Sequence, residues 1–248
     1  MNSVVHRTTG RSERGAGNVG EMIRNDAEMS LDSLAERVSD RADARGGRFM
    51  LGLAGPPGAG KSTLAAALRD TLNAQAGAVV AEVAPMDGFH LTNAELRTSG
   101  ALARKGEPDT FDVAGYLAAL RRLRETPLGE QVSLPLYDRD RHEPVPGAAL
   151  FDRQRIVITE GNYLLLDDVG AARWSAVREN LDEVWYLDVP VETLRKRLLR
   201  RHIRGGKSAG SAETKVARSD LMNAELVAAT RDRADLVLCA DGRHYRLA

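Results

Sequence analysis

Gly55-Pro56-Pro57-Gly58-Ala59-Gly60-Lys61-Ser62 is the stretch on which the reading of this chain turns. It fits G-x-x-x-x-G-K-[ST], a backbone turn that wraps phosphate. Its setting matters as much as its letters. Before it, Phe49-Met50-Leu51-Gly52-Leu53-Ala54 is a short apolar run closed by Gly and Pro, as a buried strand is. After it, Leu64, Leu68 and Leu72 recur at i, i+4 and i+8, so a helix begins near Lys61. Strand, turn and helix in that order aim free backbone N–H groups and the positive end of a helix dipole at one point. Glycines let those N–H groups curl around oxygens with no Cβ in the way. In this reading Gly55, Pro56, Pro57, Gly58, Ala59 and Gly60 form the cradle and Lys61 reaches the β- and γ-phosphates of ATP. The Ser62 hydroxyl ligates Mg²⁺, and Thr63 lies on the α-phosphate side. The plain alternative, a glycine-rich turn before a surface lysine, leaves the matching strand and helix unexplained.

Outward from this turn, strands and helices alternate. A helix is expected from Leu31, capped by Ser30, with Leu34, Ala35 and Val38 on its apolar stripe. Further strands are expected at Val79–Val83, Ile156–Thr159, Val184–Leu187 and Asp235–Cys239. Helices are expected over Thr92–Thr98, from Val113, from Val191 and over Ser211–Ala229, with Gly205, Gly206 and Gly210 breaking the chain before the last. Arg104–Asp112 reads as a polar loop, and the four prolines between Pro127 and Pro146 make that stretch mostly loop. The fold class expected is α/β, with a mostly parallel five-stranded sheet and helices on both faces. Residues 1–27 have no periodicity and read as a disordered tail before a single domain over 28–248. Met22 and Met29 precede the first helical pattern, so a start later than Met1 is a hypothesis that mass spectrometry of the native protein decides.

Composition narrows the class. Lys plus Arg and Asp plus Glu number 35 each, a balance that argues against a general polynucleotide binder. No apolar run approaches the ~20 residues of a membrane span, and no apolar core follows the basic N-terminal residues as a secretory signal requires. The single Cys239 cannot form an internal disulfide, which suits a reducing cytoplasm, and it reads as a buried small hydrophobe. No Asn-Lys-x-Asp or Leu-Ser-Gly-Gly segment is present, so neither a guanine-reading GTPase nor a transporter ATPase is indicated.

Two carboxylates stand at strand ends. Asp87, in Met86-Asp87-Gly88-Phe89-His90, would face the γ-phosphate, because ligands of parallel sheets bind beyond the carboxyl ends of the strands. There it would orient an acceptor hydroxyl and take its proton; Asp-Gly is equally a turn signal. Glu160, in Thr159-Glu160-Gly161-Asn162-Tyr163, is placed to hold a Mg²⁺-bound water.

Together the motifs resemble the uridine kinase, pantothenate kinase and phosphoribulokinase family of P-loop kinases, over about Phe49 to Asn223. They are the cradle, Met86–His90, Arg104–Asp112, Pro135-Leu136-Tyr137-Asp138-Arg139, Glu160–Leu165 and the Arg-rich segment Arg197–Arg204. The chain looks most like the bacterial branch described as nucleoside/nucleotide kinase or fructose transport system kinase. The resemblance implies a P-loop NTPase three-layer sandwich with a mobile lid, here about residues 197–210. It implies Asp87 as catalytic base, and Asp109 and Phe111 in the acceptor pocket. Tyr137 and His142 keep the spacing of a Tyr-Asp pair followed by a His that holds the nucleoside. His90 and Tyr163 lie within motifs and are taken as acceptor contacts. Three departures stand out. Gly88 and His90 replace a Ser and a Tyr typical of uridine kinases, Arg201-His202 replaces an Arg-Asp, and Lys105-Gly106-x-Pro108 is closer to pantothenate kinase.

Arg197, Arg200, Arg201 and Arg204 fall at i, i+3, i+4 and i+7 and share a helix face. A guanidinium fork suits phosphate oxygens. Arg201 and Arg197 are the first candidates to meet the moving phosphoryl group, and the rest of the face is solvated. The expected activity is transfer of the γ-phosphate of ATP, with Mg²⁺, to a hydroxyl of a nucleoside, a pantothenate-like alcohol or a sugar. Paired subunits are common in the family, so a homodimer is expected. Two rivals stay open on the residues: an ATPase acting as a conformational switch on a protein partner, and a nucleotide-binding module without catalysis.

Overall fold

The computed structural model describes residues 28–241 and 244–247. The expected tail, 1–27, with Met22, lies outside them. In chain order the elements are β1 (Glu28–Met29), α1 (Leu31–Arg45), β2 (Phe49–Ala54), α2 (Lys61–Ala76), β3 (Ala81–Pro85), α3 (Asn93–Thr98), α4 (Val113–Glu125), β4 (Val132–Asp138), β5 (Glu143–Phe151) and β6 (Ile156–Gly161). There follow α5 (Ser175–Glu179), β7 (Glu183–Asp188), α6 (Val191–Arg204), α7 (Ala209–Lys215), α8 (Leu221–Ala228), β8 (Leu236–Asp241) and β9 (His244–Leu247). Ser30 caps α1 as expected, its hydroxyl accepting from Ser33 N at 3.1 Å.

The main sheet runs β1-β9-β8-β7-β2-β6-β3. The five expected strands are its parallel part, β8 to β3. The sheet has seven strands rather than five, because β9 and then β1 add antiparallel beyond β8. Both additions are short, and β1 has only two residues, too few to show a period. Side chains alternate across β2 as strand geometry demands. Phe49, Leu51 and Leu53 pack with the leucines of α1 and α2 on one face, and Met50 and Ala54 join α4, Phe151 and Trp174 on the other. Helices therefore cover both faces, and the molecule has three layers.

The proline-rich stretch is a second correction. Residues 132–151 are not loop but a hairpin of β4 and β5. An isolated two-stranded sheet leaves one edge of each strand unpaired, where a missing N–H costs no ladder bond. Pro135 lies where the register shifts between Leu134 and Leu136, and Pro144 and Pro146 lie on β5. A third correction concerns Gly210, which lies inside α7 rather than ahead of a helix. The expected Ser211–Ala229 helix is α7, a π-helical turn at Val216–Asp220, and α8.

One buried side chain ties the layers in a way no pattern announced. Arg48, 2% exposed, donates to four carbonyls: Leu123 at 2.9 Å, Thr126 at 2.6 Å, Asp152 at 2.7 Å and Gln154 at 3.1 Å. It binds the C-terminus of α4, where a cation is favoured, to the turn between β5 and β6. Replacing it by Met strands several buried acceptors. Arg48→Met is expected to lose about 3 kcal/mol or more of unfolding free energy, measurable by urea denaturation; an unchanged midpoint would contradict this account.

Candidate functional site

β2 lies between β6 and β7, so the turn that leaves it rises at the middle of the sheet. Gly60, at φ 105°, closes the turn and caps α2. Lys61 is the first residue of that helix and is buried. Its ammonium donates to Gly55 O at 2.9 Å, Pro56 O at 3.1 Å and Asn162 Oδ1 at 2.7 Å. All three partners are neutral, so the positive charge is positioned without being cancelled by a direct ion pair. Burial pulls its pKa down, and the charges of Glu160 and Asp87 push back.

Ser62 Oγ donates to Glu160 Oε1 at 2.8 Å. The two residues expected at the metal are thus adjacent. Both offer hard oxygen donors, which fit Mg²⁺. Among the described residues no group of three or more His, Cys, Asp and Glu forms a cage for a resident metal ion; the residues present suit a cation that arrives with its nucleotide. The sheet register explains Glu160, which stands beside Leu53 of β2 and beside Pro85 of β3. Burial raises the Glu160 pKa, Lys61 opposes the rise, and Asp87 adds to it.

Asp87 lies in the 3₁₀ turn Met86–Phe89 directly after β3. Its charge acts on both Lys61 and Glu160, and β3, which it follows, lies beside the strand that carries Glu160. Around it stands an aromatic wall. His90 packs on Phe111 with centroids 4.1 Å apart and on Tyr137 at 4.7 Å. Phe111 meets Tyr163 at 5.7 Å, and Trp174 backs both rings at 5.8 and 5.3 Å. The Tyr163 hydroxyl donates to Gly106 O at 2.6 Å, and Trp174 Nε1 donates to Pro108 O at 3.2 Å. The expected acceptor residues His90, Phe111, Tyr137 and Tyr163 are therefore brought together.

Gly88 makes this wall possible. A Cβ there would lie 2.2 Å from Pro135 O. Only a residue without a side chain lets β4 come this close to the turn that carries Asp87.

Two expected residues stand apart from the wall. Asp109 is exposed and pairs with Arg104 at 2.7 Å. The His142 ring is exposed, and the residue sits at φ 54°; it contributes its carbonyl, which accepts from Lys105 Nζ at 2.7 Å. A cleft of about 980 Å³ shares Asp109 and Phe111 with the acceptor side but includes no residue of the cradle. It runs beside the reaction centre, between the Arg104–Asp112 segment and α8.

From α6, Arg197 Nη1 donates to Ala59 O at 3.0 Å and Gly58 O at 3.3 Å, so it grips the cradle's backbone. Arg201 lies near enough to Lys61 to lower its pKa. All four arginines, Arg197, Arg200, Arg201 and Arg204, are exposed. Gly58, at φ 82°, makes room for α6, since a Cβ there would meet Leu198 Cγ at 3.1 Å. The unusual His202 is also explained: its Nε2 and Asp220 Oδ2 are 2.6 Å apart, joining α6 to the π-helical turn. Sequence reading missed Asn162 as the partner of Lys61, Trp174 as the backing of the wall, and Asp220. Asn162 was the legible one, two residues after a strand-end acid.

With this geometry in view, the comparisons are specific. The profile of the Phosphoribulokinase / Uridine kinase family matches residues 50–241. The chain belongs to this family. It is a P-loop kinase. "Uncharacterized protein YggC" of Escherichia coli (strain K12) is 36% identical over 200 residues, 80% of this chain and 81% of that protein. "Putative uridine kinase C227.14" of Schizosaccharomyces pombe is 34% identical over 198 residues, 77% of this chain and 83% of that one. Among solved structures, a "putative fructose transport system kinase" from Silicibacter sp. TM1040 is 41% identical, with a TM-score of 0.76 over 84% of this chain and 98% of its own.

The aromatic wall sets a testable titration. His90 Nδ1 lies 2.8 Å from the Asp87 carbonyl, which can only accept, so Nδ1 carries the proton and Nε2 is bare. Burial pulls the His90 pKa below its ordinary value of 6.5. The unfolded chain then takes up this proton at a higher pH than the folded one. Stability from His90 is full above about pH 6.5 and is lost as pH falls toward the depressed value. His90→Gln is expected to lose thermal stability less steeply between about pH 7 and about pH 5 than the parent chain. Parallel melting curves across that range would refute the buried neutral ring.

Proposed function

We propose that this kinase transfers the γ-phosphate of ATP to a hydroxyl of a small metabolite. The observation that carries the reading is the Ser62–Glu160 hydrogen bond beside the buried Lys61, with Asp87 leaving the neighbouring strand β3 at the same edge of the sheet. Backbone N–H groups of the cradle and the N-terminus of α2 hold the phosphates. Lys61 exchanges its neutral partners for β- and γ-phosphate oxygens. Ser62 and Glu160 would hold Mg²⁺, which would neutralise part of the triphosphate charge.

Asp87 aims the acceptor oxygen and takes its proton as the oxygen attacks the γ-phosphorus. The bond from that phosphorus to the β–γ bridging oxygen breaks, and ADP leaves. Arg201, carried by α6, stabilises charge on the moving phosphoryl group. Arg197 holds the cradle to the same helix, and the segment 197–210 closes over the site and excludes water. His90, Phe111, Tyr137 and Tyr163 hold the body of the acceptor, with Asp109 and His142 at its outer edge. The acceptor classes in this proposal are a nucleoside, a pantothenate-like alcohol and a sugar. Among the described residues no helix is long and apolar enough to cross a membrane; a cytoplasmic location belongs to the proposal through the single Cys239, which suits a reducing compartment.

Two variants separate binding from transfer. Lys61→Ala is expected to lose nucleotide-dependent turnover by orders of magnitude. Asp87→Asn is expected to keep ATP affinity while transfer falls about 10²–10⁴-fold. The assay is ATP consumption with and without a panel of small hydroxyl compounds. Normal transfer by Asp87→Asn would remove that residue from its role. ATP consumption that no compound stimulates would favour a switch ATPase over a metabolite kinase.

A further inference from the structure

The Arg201 side chain is exposed and forms no ion pair among the described residues. Where its guanidinium stands is set by the helix turn that carries it. That turn is the last of α6. Gly205 N donates to Arg201 O at 3.0 Å, Gly206 follows at φ 87°, and the helix stops. Terminal turns open most readily unless something holds them.

Two contacts hold this one. Upstream, Arg197 Nη1 donates to Ala59 O at 3.0 Å, and Leu198 lies against Gly58. Downstream, His202 Nε2 donates to Asp220 Oδ2 at 2.6 Å. These two side chains are only 13% and 10% exposed. Arg201 is four residues from Arg197 and next to His202. It therefore lies between a tie to the cradle and a tie to the segment before α8.

The π-helical turn brings Asp220 to this place. In an unbroken α-helix a step of four residues overshoots a full circle by about 40°. Ala212, Val216, Asp220 and Ala224 are spaced by four, and all are buried. The wider turn at Val216–Asp220 absorbs the drift and keeps them in line. Arg218, Ser219, Met222 and Asn223 of the same stretch line the cleft beside the acceptor side. The pair thus joins the helix that carries Arg201 to a wall of that cleft. A buried carboxylate needs a donor in any case. The place of this donor, one residue from Arg201, gives the contact a second role.

We propose that the His202–Asp220 hydrogen bond is a latch: it holds the last turn of α6 on the segment before α8 and so positions Arg201 to meet the moving phosphoryl group. His202 and Asp220 are positioning residues and act through Arg201. This rests on the kinase reading and adds to it a link between the acceptor-side cleft and the charge that meets the phosphoryl group.

The test is calorimetry on the full chain with Mg²⁺ and ADP, with and without aluminium fluoride, which stands in for the phosphoryl group in flight. The parent chain is expected to bind ADP with aluminium fluoride more tightly than ADP alone. His202→Leu should weaken the fluoride complex about tenfold and leave ADP within about twofold. His202→Gln, whose amide donates as Nε2 does, should recover most of the loss. The double variant His202→Leu/Asp220→Leu leaves no buried acid unpaired and should lose the same factor, which separates the latch from folding. In an Arg201→Ala background His202→Leu should cost nothing further. Hydrogen exchange at the amides of residues 201–204 should quicken in His202→Leu and stay at the parent rate in His202→Gln. The proposal is overturned if the fluoride complex binds no better than ADP, if His202→Leu weakens both ligands alike or neither, or if its cost persists in full without Arg201. If the variants behave as expected and no hydroxyl compound stimulates ATP consumption, the latch stands and the kinase reading falls. If His202→Leu phosphorylates a compound at the parent rate, the latch falls and the kinase reading stands.

Discussion

The buried ammonium of Lys61 is the charge around which this molecule is arranged. It is held by two carbonyls of its own turn and by Asn162 of the next strand over. Neutral partners fix its position and leave its charge uncancelled, which a phosphate-binding lysine requires. The rest of the edge is organised by that constraint. β6 and the residue just after it supply Glu160 and Asn162 from one side, and the turn after β3 supplies Asp87 from beyond them. α6 lays Arg197 across the turn itself. The strand-borne groups gather at this edge because β2, β6 and β3 run parallel.

A second constraint is close approach. The hairpin of β4 and β5 comes near enough to the Asp87 turn to set Tyr137 against His90, and α6 packs on the cradle at Leu198. Both contacts fall on glycines, Gly88 and Gly58, where a side chain would collide with a neighbouring carbonyl or leucine. These glycines serve proximity. The spacing between the hairpin and the Asp87 turn is therefore set partly by Gly88, a residue with no side chain.

The parallel strands, the cradle and both strand-end acids were legible because each rests on a local pattern. An apolar run of strand length, a leucine at every fourth position and a glycine-spaced lysine need no distant partner to be recognised. The hairpin was not legible. Its prolines signal loop in any window, and only the unpaired edges of a two-stranded sheet make them harmless. β1 and β9 were too short for periodicity, and each is held by the strand it pairs with, β9 by β8 and β1 by β9. Arg48 and Trp174 gave no signal, since their partners are backbone carbonyls that a sequence does not index.

By itself, then, the sequence determined that a phosphate-gripping turn joins a buried strand to a helix, and that acids follow two other strands. It did so because those features depend on neighbours along the chain. The tertiary structure alone decided that Asn162 takes up the Lys61 ammonium, that His90, Phe111, Tyr137 and Tyr163 form one wall, and that Asp109 and the His142 ring lie apart from it. Such contacts depend on strand order and on how closely layers pack, and neither is carried by any single stretch of residues.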